Sequence, residues 1–330
     1  MSPSTSPSIE VEDLAKTYGE VEAVRGVSFT VAPGEVFGFL GPNGAGKSTT
    51  INMLCTLVRP TSGTARVSGF DVAHQRDDVR RHIGLVFQDP TLDAQLTATQ
   101  NLRLHAELYG IEPGAVPARM DQMLGMVDLA DRRDQPVMTF SGGMKRRLEI
   151  ARGLMHSPRV LFLDEPTIGL DPQTRSAIWR YIRALQREEG TTIFMTTHYM
   201  EEAELCDRIA IIDRGEIVVL DTPDALKASV GADRVVLGTT DDVAAVAALR
   251  DRFGIEATMA EGALILHVAS GEAFVPRLFA ELGVGITSVA VSRPTLDDVF
   301  MRYTGSTIRD AEATPERQRG AMQVFSKAGR

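Results

Sequence analysis

Gly41-Pro42-Asn43-Gly44-Ala45-Gly46-Lys47-Ser48-Thr49 is the stretch around which the chain is organised. A compact apolar run, Val36 to Leu40, leads into it, and a segment that reads as a helix, Lys47 to Leu57, leads out. Strand, glycine-rich turn, Lys-Ser and helix form the pattern of a phosphate-binding loop. The chemistry explains the residue types. Phosphates need many N–H donors at short range, so the backbone must approach with no side chain in between. Gly41, Gly44 and Gly46 permit that approach and its dihedrals. The helix start adds unpaired N–H groups and a partial positive charge. Lys47 is placed to reach the β- and γ-phosphates, and the Ser48 hydroxyl to bind Mg²⁺.

The 330 residues suffice for two domains and a substantial core. Hydrophobic content of 43% and charged content of 24% are those of a globular protein. A net charge of −9 gives no bulk attraction to nucleic acid, and no nucleic-acid partner is expected. The two cysteines, Cys55 and Cys206, lie far apart and read as small buried residues rather than a disulfide or zinc site, as suits a reducing cytoplasm. Met1 to Ser8 is Ser/Pro-rich with no apolar centre, so it does not read as a signal peptide. No apolar run reaches the roughly 20 residues that span a bilayer. Action on a membrane process would require a partner.

Taken in order, Ile9–Val11 and Val27–Val31 read as strands around a turn near Tyr18-Gly19. Tyr18 is placed either to stack on a nucleotide base or to sit half-buried at a strand end. Thr61-Ser62-Gly63 reads as a turn, Ala65–Val67 and Ile83–Phe87 as strands. Gln88 follows the second of these. A glutamine there can reach Mg²⁺ or an attacking water, or face solvent. From Asp89 to Gln135 apolar residues recur at helical spacing, which predicts a helical insertion of about 50 residues. Ser141 fits a helix N-cap, and Gly142 and Gly143 leave N–H groups accessible behind it, making a second candidate anion site. Otherwise the segment is a plain cap on a basic, solvated helix.

Val160–Leu163 reads as a buried strand ending in Asp164 and Glu165. Two carboxylates at a strand's C-terminal end beside a phosphate loop suggest Mg²⁺ coordination by Asp164. Glu165 is then free to polarise a water. Asp171 is placed to cap a helix with Pro172 at its first position. Thr191–Thr196 is a further apolar strand, followed by His198, a candidate γ-phosphate contact, and an acidic helix with Glu201, Glu202 and Glu204. Ile209–Asp213 and Ile217–Leu220 close this part as a hairpin. Beyond Thr222-Pro223 the order of predicted elements becomes β-α-β-β-α-β, a small split βαβ domain with no catalytic constellation.

Together the phosphate loop, Gln88, Ser141-Gly142-Gly143, Asp164-Glu165, Asp171 and His198 resemble the ATP-binding cassette ATPases over about residues 9 to 220. The resemblance implies an α/β P-loop nucleotide-binding domain with a helical subdomain. Tyr18 would stack on adenine, and Gly41 through Thr49 would hold the phosphates, including Pro42, Asn43 and Ala45. Ser48, Gln88 and Asp164 would bind Mg²⁺. Glu165, His198, Lys47 and Gln88 would be the catalytic set, and Asp171, the aspartate of the family's D-loop, would count among the nucleotide-binding residues. Ser141-Gly142-Gly143 would bind the γ-phosphate of ATP held by a second copy, in a head-to-tail dimer. The family's usual Leu-Ser-Gly-Gly-Gln is here Phe140-Ser141-Gly142-Gly143-Met144, with the anion-binding part kept.

The ending Arg293-Pro294-Thr295-Leu296-Asp297-Asp298-Val299-Phe300 is similar to the daunorubicin-resistance subgroup of bacterial drug-export ATPases. That resemblance implies an ATPase at the cytoplasmic face of the cell membrane, bound to a separate multi-pass permease. The alternatives are a lipid or polysaccharide exporter, an importer, or a soluble cassette ATPase acting on ribosomes or DNA. The expected division is a disordered 1–8, a cassette over 9–230 with its helical subdomain at about 89–157, a ferredoxin-like α+β accessory domain over 231–303, and a disordered tail over 304–330.

Overall fold

Three sheets build this chain, and only the largely parallel one has apolar strands covered on both faces. The computed structural model describes residues 6–260 and 263–305. They fall into two units that divide between Leu220 and Asp221.

In the first unit, β1 (Ile9–Tyr18) and β2 (Val21–Val31) form a long antiparallel pair, and β4 (Ser62–Val67) and β5 (Phe70–Asp71) extend it in the order β2-β1-β4-β5. These strands are longer than their apolar cores suggested, because one face of an antiparallel sheet carries polar residues. Of the stretch read as a turn, Thr61-Ser62-Gly63, the last two residues instead open β4. Ser8 is already held, its N–H donating to Val31 O at 2.8 Å. The ordered chain therefore begins before Ile9, while Met1 to Thr5 lie outside the described residues.

The second sheet runs β10-β9-β3-β8-β7-β6, from β3 (Val36–Leu40), β6 (Ile83–Val86), β7 (Val160–Asp164), β8 (Thr192–Thr197), β9 (Arg208–Asp213) and β10 (Glu216–Asp221). Strands β6, β7, β8, β3 and β9 are parallel. Every residue of β3 and β7 is buried, which is why their sequences run apolar without alternation. Arg214 (φ 49°) and Gly215 (φ 84°) make the tight turn between β9 and β10. The core lies between the two sheets: Phe29 of β2 stacks on Phe37 at 5.4 Å and on Phe194 at 5.9 Å between ring centroids.

Helix α1 (Lys47–Leu54) leaves the phosphate loop, and α2 (Arg76–His82) precedes β6. The helical insertion comprises α3 (Ala98–Leu108), α4 (Val116–Met126) and α5 (Gly142–Leu154). It begins later than the periodicity indicated. Asp89 to Thr97 is not helical; Asn101 holds this loop by accepting from Asp93 N and donating to Asp93 O, both at 3.0 Å. Thr97 and Gln100 then form a capping box that starts α3. Helix α6 (Pro172–Glu189) packs Ile178, Ile182 and Leu185 inward and ends at Gly190, φ 65°. The expected acidic helix is one turn, α7 (Met200–Ala203), and its Glu202 is buried rather than solvated.

The second unit has the antiparallel order β12-β13-β11-β14, from β11 (Asp233–Thr239), β12 (Ala257–Ala260), β13 (Ala263–Val268) and β14 (Ile286–Ser292). Between β11 and β12 lies α9 (Asp242–Ala248), continued by a π-helical turn over Leu249–Phe253, and α10 (Gly271–Glu281) joins β13 to β14. Val235, Leu237, Leu264, Leu266, Phe274 and Leu278 form its core. This is the predicted ferredoxin-like layout. Two helices were not foreseen. α8 (Pro223–Val230) and α11 (Leu296–Thr304) pack together, and Arg302 donates to Val230 O at 2.8 Å. A Thr295–Asp298 capping box opens α11, which buries Leu296, Val299 and Phe300. Thr304 ends that helix and Gly305 caps it; the rest of the expected tail lies outside the described residues. Among the described residues no helix is long and apolar enough to cross a membrane.

Candidate nucleotide site

The parallel register assembles the site. Leu40 pairs with Thr197, Asp164 with Thr196, and Val86 with Leu163. The residues just beyond these ends, Gly41, His198, Glu165 and Gln88, therefore emerge along one edge of the sheet, where open α/β sheets bind ligands.

The loop fits a phosphate group sterically and electrically. A Cβ on Gly41 would sit 2.4 Å from Ile212 O, and one on Gly46 would sit 2.6 Å from Ala23 O at φ +107°. No side chain caps the start of α1, so its first N–H groups face the loop without a side-chain acceptor. Lys47 is buried. Its ammonium donates to Gly41 O at 2.7 Å and Pro42 O at 3.2 Å, and lies 3.1 Å from Glu165 Oε1. Tyr18 ends β1; burial raises its hydroxyl pKa, and Thr49 at the far end of the loop offsets this in part. The Lys16 ammonium stands 4.9 Å from its ring centre.

Asp164 accepts from Thr196 Oγ1 at 2.5 Å and from Ser48 Oγ at 3.3 Å. Burial pushes its pKa up, and those hydroxyls offset this only in part. Such a carboxylate is suited to a cation. Among the described residues no cluster of three His, Cys, Asp or Glu could hold a metal. The neighbouring donors are instead hard oxygens, the Ser48 hydroxyl and Asp164, with the Gln88 amide nearby. That set suits Mg²⁺, which takes few protein ligands and completes its shell with phosphate and water.

Glu165 sits at φ +45°, a conformation that a non-glycine residue holds only under constraint. Its N–H donates to Thr196 Oγ1 at 3.0 Å. His198 Nδ1 is 3.3 Å from Glu165 Oε1, and Gln88 Nε2 is 3.4 Å from Glu165 Oε2. Burial alone would raise the Glu165 carboxyl, but His198 and the Lys47 ammonium outweigh it and hold it down to about 2.

Ser141, Gly142 and Gly143 do not join this cluster. Ser141 caps α5 by accepting from Met144 N at 3.3 Å. Gly143 abuts Thr174 of α6, and Thr174 donates to Asp171 Oδ2 at 2.6 Å. Asp171 also caps α6, as its sequence predicts. Among the described residues no hydrogen bond or ion pair joins 141–143 to Gly41–Thr49.

Three polar residues escaped the sequence reading. Thr196 serves both Asp164 and Glu165. Glu202 accepts from Thr167 and, at 2.7 Å, from Thr197. Arg146 is buried against the ends of β6 and β7. Arg146 was legible: it lies four and eight residues before Ile150 and Leu154, on the buried stripe of α5.

The ABC transporter family model matches residues 24–168, and the model for the C-terminal domain of DrrA1-3-like ATP-binding proteins matches 222–304. The daunorubicin resistance ATP-binding protein DrrA3 of Streptomyces coeruleorubidus is 43% identical over 311 residues, 92% of this chain and 98% of that protein. The linearmycin resistance ATP-binding protein LnrL of Bacillus subtilis is 39% identical over 311 residues, 92% of this chain and 100% of that protein. Among solved structures, a dimeric ATP-binding cassette in a post-hydrolysis state with ADP and Pi superposes with a TM-score of 0.60 at 30% identity, over 65% of this chain and 98% of that one. Fold and site define a P-loop nucleotide-binding cassette. The chain belongs to the ATP-binding subunits of ABC transporters, in the group that carries the DrrA-type C-terminal domain.

Proposed function

We propose that this chain is the ATP-hydrolysing subunit of an exporter of drugs or antibiotics, working as a head-to-tail homodimer at the cytoplasmic face of a membrane permease. The observation that carries the catalytic part is the common strand-end edge that gathers Lys47, Asp164, Glu165, His198 and Gln88. The names of the two reported relatives, both resistance proteins, support a part in antibiotic resistance, and membership of the ABC transporter family supports transport as its means. Tyr18 stacks on the base, and the backbone of Gly41 to Thr49 holds the phosphates. Ser48, Asp164 and Gln88 would hold Mg²⁺, which would supply charge neutralisation on the phosphates. Lys47 exchanges Glu165 for a phosphate oxygen. Glu165 then orients or deprotonates the attacking water while His198 holds its carboxylate and meets the γ-phosphate. Ser141, Gly142 and Gly143 of a second copy complete the charge stabilisation, with Asp171 at the seam.

Leu104, Leu108 and Tyr109 of the helical insertion are exposed, Leu108 by 75%, and supply an apolar surface for the permease. The test is drug efflux in cells that carry this chain with its candidate permease, with Lys47→Ala as control. Efflux that survives Lys47→Ala overturns the proposal.

A further inference from the structure

The α5 helix carries Ser141 at its start, and four residues beyond Gly142 it buries a guanidinium. Arg146 Nε donates to Pro166 O at 2.7 Å and Nη2 to Asp164 O at 3.0 Å. Nη1 donates to Phe87 O and lies 3.2 Å from Glu149 Oε2. Three backbone carbonyls are thus held by one planar fork: the residue before Gln88, Asp164 itself, and the residue after Glu165. The same helix grips the far side of Gln88. Glu149 Oε1 accepts from Thr91 N at 2.7 Å, and Arg152 donates to Thr91 O at 2.8 Å. The segment Phe87–Thr91 is therefore fastened to α5 at both ends, with Gln88 between the fastenings.

A buried arginine with only backbone and one carboxylate for partners costs desolvation that a leucine would not. What it adds is rigid geometry. A lysine cannot reproduce three divergent donors in one plane. We infer that Arg146 is a positioning residue that couples the nucleotide site of one chain to the Ser141–Gly143 half-site which that chain offers to its partner. This rests on the head-to-tail pairing proposed above. Engagement of Ser141–Gly143 by the second nucleotide displaces α5. Arg146 and Glu149 carry that displacement to Gln88 and to the strand end that bears Asp164 and Glu165. The two sites then sense each other through bonds within each chain, without a direct contact between the nucleotides.

The test is ATP hydrolysis against ATP concentration for the full chain and for Arg146→Lys, with circular dichroism for folding and a fluorescent ATP analogue for single-site binding. The wild type is expected to show a Hill coefficient well above one. Arg146→Lys is expected to bind the analogue within about twofold of wild type, to lose about tenfold in kcat, and to fall to a Hill coefficient near one. A merely structural role would lower stability and binding together and leave the Hill coefficient of the surviving enzyme unchanged. That result, or a wild-type Hill coefficient of one, overturns the inference. Should Arg146→Lys fail to fold, Glu149→Gln is read by the same criteria, since it breaks the ion pair and keeps an acceptor for Thr91. ATP-dependent dimerisation of Glu165→Gln, measured separately, distinguishes the two readings. Its absence sinks the proposed pairing, while its presence with non-cooperative wild-type hydrolysis sinks only the role of Arg146.

Discussion

The Lys47 ammonium lies 3.1 Å from Glu165 Oε1, and both side chains are buried. The residue proposed to hold phosphate and the residue proposed to activate water are thus partners to each other. Phosphate oxygens must compete with a carboxylate for Lys47, and success in that competition frees the carboxylate. Binding of substrate and release of the base are one exchange.

Replacing Glu165 by Gln is expected to lower phosphate release by about 10²–10⁴-fold, the usual range for a general base. Titration with a fluorescent nucleotide should show tighter ATP binding than in wild type, because a neutral amide is the weaker competitor for Lys47. Near-normal turnover removes Glu165 from its role; unchanged affinity removes the competition.

The same pair sets a pH dependence of stability. Glu165 is held down to about 2 against an ordinary 4.5. A depressed acid contributes its stabilisation in full above its unfolded value and loses it as pH falls through the folded one. The melting temperature of wild type should therefore exceed that of Glu165→Gln near neutrality, and the gap should narrow as pH falls from about 5 to about 3. A gap that stays constant over this interval contradicts the assignment of the low pKa to Glu165.

Gly143 has no room for a methyl group: a Cβ there would stand 2.4 Å from Thr174 Cγ2. Gly143→Ala should push Thr174 away from Asp171 and cost about tenfold in ATPase activity, a loss typical of a misplaced positioning group. Thr174→Ser removes the offending methyl and keeps the hydroxyl that donates to Asp171. The double variant should recover most of the activity. Failure of this rescue in steady-state assays would show that the methyl does harm elsewhere.

Phe300 of α11 is fully buried. Phe300→Ala should destabilise the C-terminal unit by about 3–5 kcal/mol, as for large-to-small changes in a packed core. Urea unfolding followed by circular dichroism measures it. An unaltered unfolding profile would show that α11 is held by other contacts.

How far the sequence foretold these features depended on the kind of force at each place. Strands β3, β7 and β8 were visible because burial on both faces leaves an apolar run, and the residues at their ends could be read off directly. Thr196 and Glu202 were invisible because their partners, Asp164 and Thr167, are set by register and loop closure rather than by sequence spacing. The loop from Asp89 to Thr97 mimicked a helix, since the hydrogen bonds between Asn101 and Asp93 that hold it leave no periodic signature. Helices α8 and α11 were missed because each is short and finds its apolar partner about seventy residues away in the chain.

The separation of Ser141–Gly143 from Lys47 within one chain has a consequence for populations of molecules. Under the proposed pairing, a copy damaged only at Ser141 keeps a sound phosphate loop but spoils the site of whichever copy it meets. In a cell that makes equal amounts of sound and damaged chain, roughly a quarter of random pairs would hold two intact sites and roughly half would hold one. The damaged chain should therefore lower ATPase activity in mixtures with sound chain, and added sound chain should dilute the defect.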